Sequence, residues 1–176
     1  MIVYFIRHAS AGHHVPNLAQ DEKRALDEEG IEQSTQMGRA LAAMDVRVDA
    51  VISSPLKRAT QTASLVANEI GFDGKLQRTP ALRPSARIEA FRELLDRNRN
   101  LEAVAVVGHN PSLSQFLSLI ISEGASEGSI DLKKGAVARV DVSGGSGILK
   151  WVMTPKMVQT LSAAVAKSSR PKILRK

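Results

Sequence analysis

Two apolar runs break the otherwise mixed pattern of the chain, Ile2-Val-Tyr-Phe-Ile6 and Ala103-Val-Ala-Val-Val107. Apolar side chains at every position, rather than at alternate ones, predict strands buried on both faces, as at the centre of a parallel sheet. Each run ends at a histidine, the first through Arg7-His8 and the second through Gly108-His109. Elsewhere the apolar spacing is helical. Asp27 is a good N-cap, Glu28 and Glu29 suit a first turn, and Ile31, Met37, Leu41 and Met44 extend the helix to about Met44, with Gly38 a weak point. Ser53-Ser54-Pro55 reads as a cap with proline at the first helical position, ahead of a stripe of Ala59, Ala63, Val66 and Ile70 that Gly71 ends. Ile88, Phe91, Leu94 and Leu95 mark a third helix. Asn110-Pro111 opens a fourth, with Leu113, Phe116, Leu117, Ile120 and Ile121 as its apolar face.

Shorter strands are expected at Asp49–Ile52 and Lys75–Thr79, and loops at Ser10–Lys23, Leu82–Ser85 and Glu123–Lys134. Val137–Val142 and Ile148–Met153 flank Ser143-Gly-Gly-Ser-Gly147 and predict a hairpin that closes the chain. Those glycines sit between two strands rather than between a strand and a helix, so they are not a phosphate loop. Strands alternating with helices up to Ser122 predict a three-layer α/β/α sandwich with a mostly parallel central sheet. One domain is expected over residues 1–166, followed by a basic tail at 167–176.

Composition changes this picture little. The chain has 176 residues, enough for a single domain with a real core, but only 3% aromatics, so Ala, Val, Ile and Leu must fill it. Without cysteine there are no disulfides or thiolate metal ligands, and a cytoplasmic location is the expectation. The apolar N-terminus is too short for a signal peptide, and no run reaches membrane-span length. The net charge of +6 comes largely from the last ten residues, which hold five basic groups and no acid. That composition suits a solvated terminus or a docking tail, and neither nucleic acid nor membrane is expected as a partner.

The chemistry concentrates where the two buried strands end. If these strands are neighbours, His8 and His109 meet at the carboxyl edge of the sheet, where open α/β folds place their ligands. The helix after the second strand brings Lys57 and Arg58 to the same edge. Converging cations imply an anionic ligand, and arginine holds phosphate oxygens through a planar fork. Histidine forms covalent intermediates, and surrounding cations keep it neutral and able to attack. Its other ring nitrogen then needs a fixed acceptor, such as a backbone carbonyl, to set the tautomer. His13-His14 is an adjacent pair in a loop; no metal site is expected there.

The ordered set of motifs resembles the histidine phosphatase superfamily, the phosphoglycerate-mutase-like fold. Within it, the chain is similar to the SixA branch of small phosphohistidine phosphatases. Arg7-His8-Ala9 matches the family's Arg-His-Gly, with Ala in the Gly place. Ser54-Pro55-Leu-Lys-Arg58-Ala59-Thr-Gln-Thr62 matches its Ser-Pro-x-x-Arg-Ala-x-x-Thr, and Gly108-His109-Asn110-Pro111 its Gly-His-x-Pro. Arg24 to Gly30 resembles the branch's Arg-Pro-Leu-Thr-x-x-Gly, with Ala25 and Asp27 replacing Pro and Thr. Trp151 to Pro155 resembles its final Trp-x-x-x-Pro.

The resemblance implies a phosphatase that uses no cofactor or metal. His8 is then the phosphorylated nucleophile, Arg7 and Arg58 clamp the phosphate, His109 completes the pocket, and Arg24 is a fifth contact. Larger relatives acting on esters carry a Glu acid/base in a Leu-x-Glu context. Here that place reads Leu82-Arg83-Pro84, and the next carboxylate, Glu89, is expected on a solvent-facing helix. The missing acid favours phosphohistidine, on a signalling protein, over phosphate esters. The alternatives are a small-molecule or sugar-phosphate phosphatase of the same superfamily, and a non-catalytic module that only recognises phosphate.

Overall fold

The first strand lies inside the sheet, with three strands on one side of it and two on the other. In the computed structural model, which describes residues 1–13, 16–122 and 130–168, the elements follow in chain order. They are β1 (Ile2–Arg7), α1 (Leu18–Lys23), α2 (Glu28–Ala43), β2 (Ala50–Ser53), α3 (Lys57–Glu69) and β3 (Gln77–Arg78). A 3-10 turn at Pro80–Leu82 leads to α4 (Ile88–Arg97), β4 (Ala103–Gly108), α5 (Ser112–Ile121), β5 (Val137–Ser143), β6 (Ser146–Met153) and α6 (Pro155–Ser168). The sheet order is β3-β2-β4-β1-β5-β6. The first four strands are parallel, while β5 runs antiparallel to β1 and β6 antiparallel to β5.

Side-chain alternation divides the core in two. Val3 and Phe5 of β1 join Phe91, Leu95, Leu113, Phe116 and Leu117 on the face covered by α4 and α5. Tyr4 and Ile6 join Met37, Leu41, Ala59, Ala63, Val66 and Val158 on the face covered by α2, α3 and α6. Both faces of β1 and β4 are therefore sealed, as their unbroken apolar runs predict. Phe5, Phe91 and Phe116 pack in a row in the first layer, Phe91 stacking on Phe116 at 4.7 Å between centroids, while Tyr4, Phe72 and Trp151 belong to the second.

Several local expectations need correction. The stretch read as a loop before Lys23 contains α1, because the Asn17 side chain accepts from the Gln20 N–H at 3.1 Å and starts a helical turn. α3 begins two residues later than proline placement suggests, with Leu56 as its N-cap, while the Ser54 side chain faces His109 instead. Asn110 does not cap α5 through a backbone N–H. Its amide donates to the Leu132 carbonyl at 3.0 Å and its Oδ1 accepts from Ser114.

β3 is only two residues long, at the edge of the sheet. Gly38 is a point of close approach: a Cβ there would sit 2.7 Å from Glu69 Cβ, so glycine lets α2 and α3 pack tightly. Ile31 and Met44, read as part of the α2 stripe, are half exposed, and Gln33 and Ser34 line the buried face. The hairpin is present, with Gly144 and Gly145 both at positive φ between Ser143 and Ser146, but it does not end the chain. α6 follows it, Val158 docking into the core, and runs two residues past the expected domain end. The loop at 123–129, His14 and the tail from 169 lie outside the described residues. No described helix is long and apolar enough to cross a membrane.

Candidate active site

β1 and β4 are paired in register with Arg7 opposite Gly108, so the residues that follow, His8 and His109, emerge side by side at the carboxyl edge. The His8 N–H donates to the Gly108 carbonyl at 3.0 Å, fixing the backbone just past the strand. The two imidazoles lie 4.9 Å apart, tilted by 53°. His8 Nδ1 is 2.8 Å from the Ala9 carbonyl oxygen. A carbonyl only accepts, so Nδ1 carries the proton and the lone pair sits on Nε2. Burial, with smaller contributions from Arg58, Arg7 and Arg24, pushes the His8 pKa down to about 3. Burial first, then His8 and Arg58, pushes His109 to about 2. Both rings are neutral across the physiological range.

Two arginines flank them. Arg7, the last residue of β1, donates from Nη1 to the Leu132 carbonyl at 2.6 Å. Arg58, in the first turn of α3, is 4% exposed and donates from Nη1 to the Asp21 carbonyl and carboxylate, at 2.8 and 3.1 Å. Two residues of the same helix, Ala59 and Thr62, explain how it is held. Ala59 has no exposed surface, and Thr62 Oγ1 accepts from the Ala9 N–H at 3.1 Å, locking the loop after His8 to α3. Arg7 Nε, Arg58 Nε and His109 Nδ1 are buried without a hydrogen-bond partner. Buried polar atoms are rarely left unsatisfied. Three of them on residues around one histidine lone pair make a receptor for an oxyanion, with guanidinium donors matched to phosphate.

The comparisons with known proteins agree with this geometry. The model of the histidine phosphatase superfamily (branch 1) matches residues 3–85, which include His8 and Arg58. Phosphohistidine phosphatase SixA of Escherichia coli (strain K12) is 27% identical over 158 residues, 88% of this chain and 94% of that protein. The chain is thus similar to the histidine phosphatase superfamily over its first half and to SixA over most of its length. A structure of the protein histidine phosphatase SixA complexed with tungstate superposes with a TM-score of 0.80 at 24% identity, covering 89% of this chain and 98% of that one. A phosphoglycerate mutase from Bacillus anthracis str. Sterne superposes at 0.69 with 16% identity, over 90% and 95% of the two chains. The fold is phosphoglycerate-mutase-like, and the enzyme is a hydrolase of the phosphatase type.

The structure brings all five expected site residues into one network. Arg7, His8, Arg58 and His109 form its centre, and Arg24 joins through Asp21. Arg24 Nε donates to Asp21 Oδ1 at 2.8 Å, and its Nη1 donates to the Ala11 carbonyl at 2.8 Å. Asp21 thus holds both Arg24 and Arg58, and it escaped the sequence reading because its stretch was taken as loop. The signal was present in Asn17, a capping residue four positions before a carboxylate. Ser54 was also missed as a site residue; its hydroxyl lies 2.9 Å from His109 Nε2. Lys57, beside Arg58, is exposed, as is His13. Among the described residues no cluster of potential ligands could hold a metal ion.

The departures from the family pattern have local explanations. The Ala9 methyl is fully buried in a small cluster with Ala11 and Leu26. Asp27 caps α2 by accepting from the Gly30 N–H at 2.7 Å. Its other oxygen accepts from Ser10 Oγ and the Gly12 N–H, so it also ties down the loop after the nucleophile. Pro84 stands at the glutamate place of the Leu-x-Glu pattern, and Arg83 before it pairs with Glu22 of α1. Glu89 points to solvent on α4 beside Arg87, as expected.

Proposed function

We propose that this phosphatase dephosphorylates phosphohistidine on a signalling protein, through a phosphoryl-His8 intermediate and without a metal. The observation that carries the reading is the His8 tautomer: Nδ1–H bonded to the Ala9 carbonyl leaves Nε2 unprotonated beside the orphaned donors of Arg7 and Arg58. In the first step the Nε2 lone pair forms a bond to phosphorus as the substrate's P–N bond breaks. The departing imidazole nitrogen keeps the bonding pair, and because the ring's other nitrogen already carries a proton it leaves as neutral imidazole. In the second step water attacks phosphorus, the Nε2–P bond breaks, and inorganic phosphate leaves with the displaced proton passing to solvent. Arg7, Arg58, His109 and, at one remove, Arg24 hold the equatorial oxygens as charge spreads over them.

The choice of a P–N substrate rests on the carboxylates around the pocket. Asp21 is engaged by Arg24 and Arg58, and Glu22 by Arg83. An ester needs a proton for its departing alkoxide, help worth roughly 10²–10⁴-fold, whereas imidazole departs without it. The test compares phosphate release from a phosphohistidine-bearing protein domain and from a panel of phosphate esters, with metal chelated, for the native chain and His8→Ala. Fast release from phosphohistidine, weak ester turnover and loss of both in His8→Ala are expected. Strong His8-dependent ester hydrolysis would move the substrate to a small phosphorylated metabolite, with Glu22 the first acid to replace. No His8-dependent turnover on either class would leave a phosphate-recognition module.

A further inference from the structure

A cleft of about 510 Å³ opens beside Arg7, and apart from Arg7 none of its lining residues has a part in the chemistry above. Its lining includes Arg7, Lys133, Lys134 and Lys156, with Glu29 the single carboxylate. Glu29 is already engaged, accepting from Gln33 Nε2 at 2.7 Å. Lys133 also reaches Asp131, which is not part of the lining. Four cations around one cavity repel one another unless an anion enters, so the cleft is electrostatically incomplete as it stands.

Its position relative to the nucleophile is fixed by the backbone. The Gly135 N–H, directly after Lys134, donates to the carbonyls of Arg7 and His8, both at 3.2 Å. On its other side Gly135 touches the start of α6: with φ at +71°, a Cβ there would lie 2.9 Å from Pro155 Cγ. The lysine pair before β5 and Lys156 in the first turn of α6 are therefore held together, and both are anchored to the strand end that carries His8. The first turn of α6 adds the positive end of its dipole.

We infer that this cleft receives acidic side chains flanking the phosphohistidine of the substrate protein, which makes it a specificity site for an acidic segment. The inference rests on the phosphohistidine reading and names the sequence context that reading leaves open. The lining side chains, Ser10, Gln33, Thr154 and the lysines, offer hydrogen bonds and charge but no aromatic wall on which a base or sugar could stack. Flexible carboxylates match them better than a ring-bearing ligand does. Because Arg7 belongs to both sites, an acidic residue near the phosphohistidine can sit in the cleft while the phosphoryl group sits at His8.

The experiment uses two phosphohistidine peptides of equal length, one with Asp and Glu flanks and one with Asn and Gln in their place. They are compared on the full chain, on the triple variant Lys133→Gln, Lys134→Gln, Lys156→Gln, and on Lys134→Glu. The native chain should prefer the acidic peptide by about tenfold or more in kcat/KM, through a lower KM. That preference should collapse toward unity in the triple variant and reverse in Lys134→Glu. Equal turnover of the two peptides by the native chain, or a preference that survives the triple variant, overturns the inference while leaving the phosphohistidine reading in place. A lysine-dependent inhibition by pyrophosphate with no peptide preference overturns it in favour of a small polyanion. If neither peptide is turned over while phosphate esters are, the phosphohistidine reading itself fails, and this inference with it.

Discussion

His8 and His109 resist protonation because they are buried among cations, and this ties the stability of the protein to pH. Both pKa values are depressed, from the usual 6.5 to about 3 and about 2. Between pH 6.5 and about 3 the unfolded chain binds protons at both positions that the folded chain does not. Stability is therefore full above pH 6.5 and falls as the pH drops through that window, by up to about 1.4 kcal/mol per pH unit for each histidine. Urea melts of the native chain and of His109→Asn should show a shallower acid slope in the variant. In the native chain, the His8 ring carbon resonances should not titrate between pH 7.5 and 5. Asp21 allows a second test at this scale. Asp21→Asn removes the charge that aligns Arg24 and Arg58, leaving a buried guanidinium and a half-buried one with a weaker partner. Phosphohistidine turnover should fall by about 10-fold or more, chiefly through kcat, because donors that must reorganise stabilise the transition state less. Unchanged kinetics in Asp21→Asn would remove Asp21 from the positioning network.

Helix contacts set the second scale. A Cβ at Gly30 would meet the Ser10 carbonyl oxygen at 1.9 Å, so α2 is pressed against the loop that follows His8. Gly30→Ala should displace that loop and lower both activity and stability. Gly38→Ala, at the α2–α3 contact, should cost about 1–3 kcal/mol in stability with little change in KM, since no site residue touches it. Thermal melts and steady-state kinetics on both variants separate the two effects. These elements also show what could be read from the chain beforehand. β1 and β4 were legible because burial on both faces demands an unbroken apolar run, and their histidines were legible because such runs place functional groups at their ends. α1 was not, since its apolar content is one exposed Leu18 and its fold depends on Asn17 and on arginines from two other segments. α6 was hidden for a related reason: Met157, Leu161 and Val165 are exposed, so its apolar positions do not describe its buried face. The lysine cleft was illegible because Lys134 and Lys156 come together only through Gly135 and Pro155.

On the scale of the whole molecule, residues 169–176 carry four of the chain's basic groups and lie beyond the last helix. We propose that the phosphatase domain ends near the end of α6. Deleting 169–176 should then leave the melting temperature and phosphohistidine turnover unchanged within error, while lost binding to an acidic partner would assign the tail to docking. Trp151, the single tryptophan, packs on Tyr4 of β1 with 6.0 Å between ring centroids, so its fluorescence reports the closing of the sheet around β1. In stopped-flow refolding, recovery of that signal and of activity should coincide.

The position of β1 inside the sheet has a consequence for how the enzyme comes into being. The backbone of Arg7 and His8 is held by Ala136 and Gly108, partners 129 and 100 residues further along. On a ribosome adding about 5–20 residues per second, the strand that bears the nucleophile waits on the order of ten seconds for its neighbours. During that time an apolar segment stays unsheltered. Loop closure over such spans makes assembly slow, and a nascent chain of this kind has reason to meet a chaperone early. The wait also has a use. No shortened chain lacking β4 or β5 can align the two histidines and their arginines, so catalytic competence arrives only once β5 has been made.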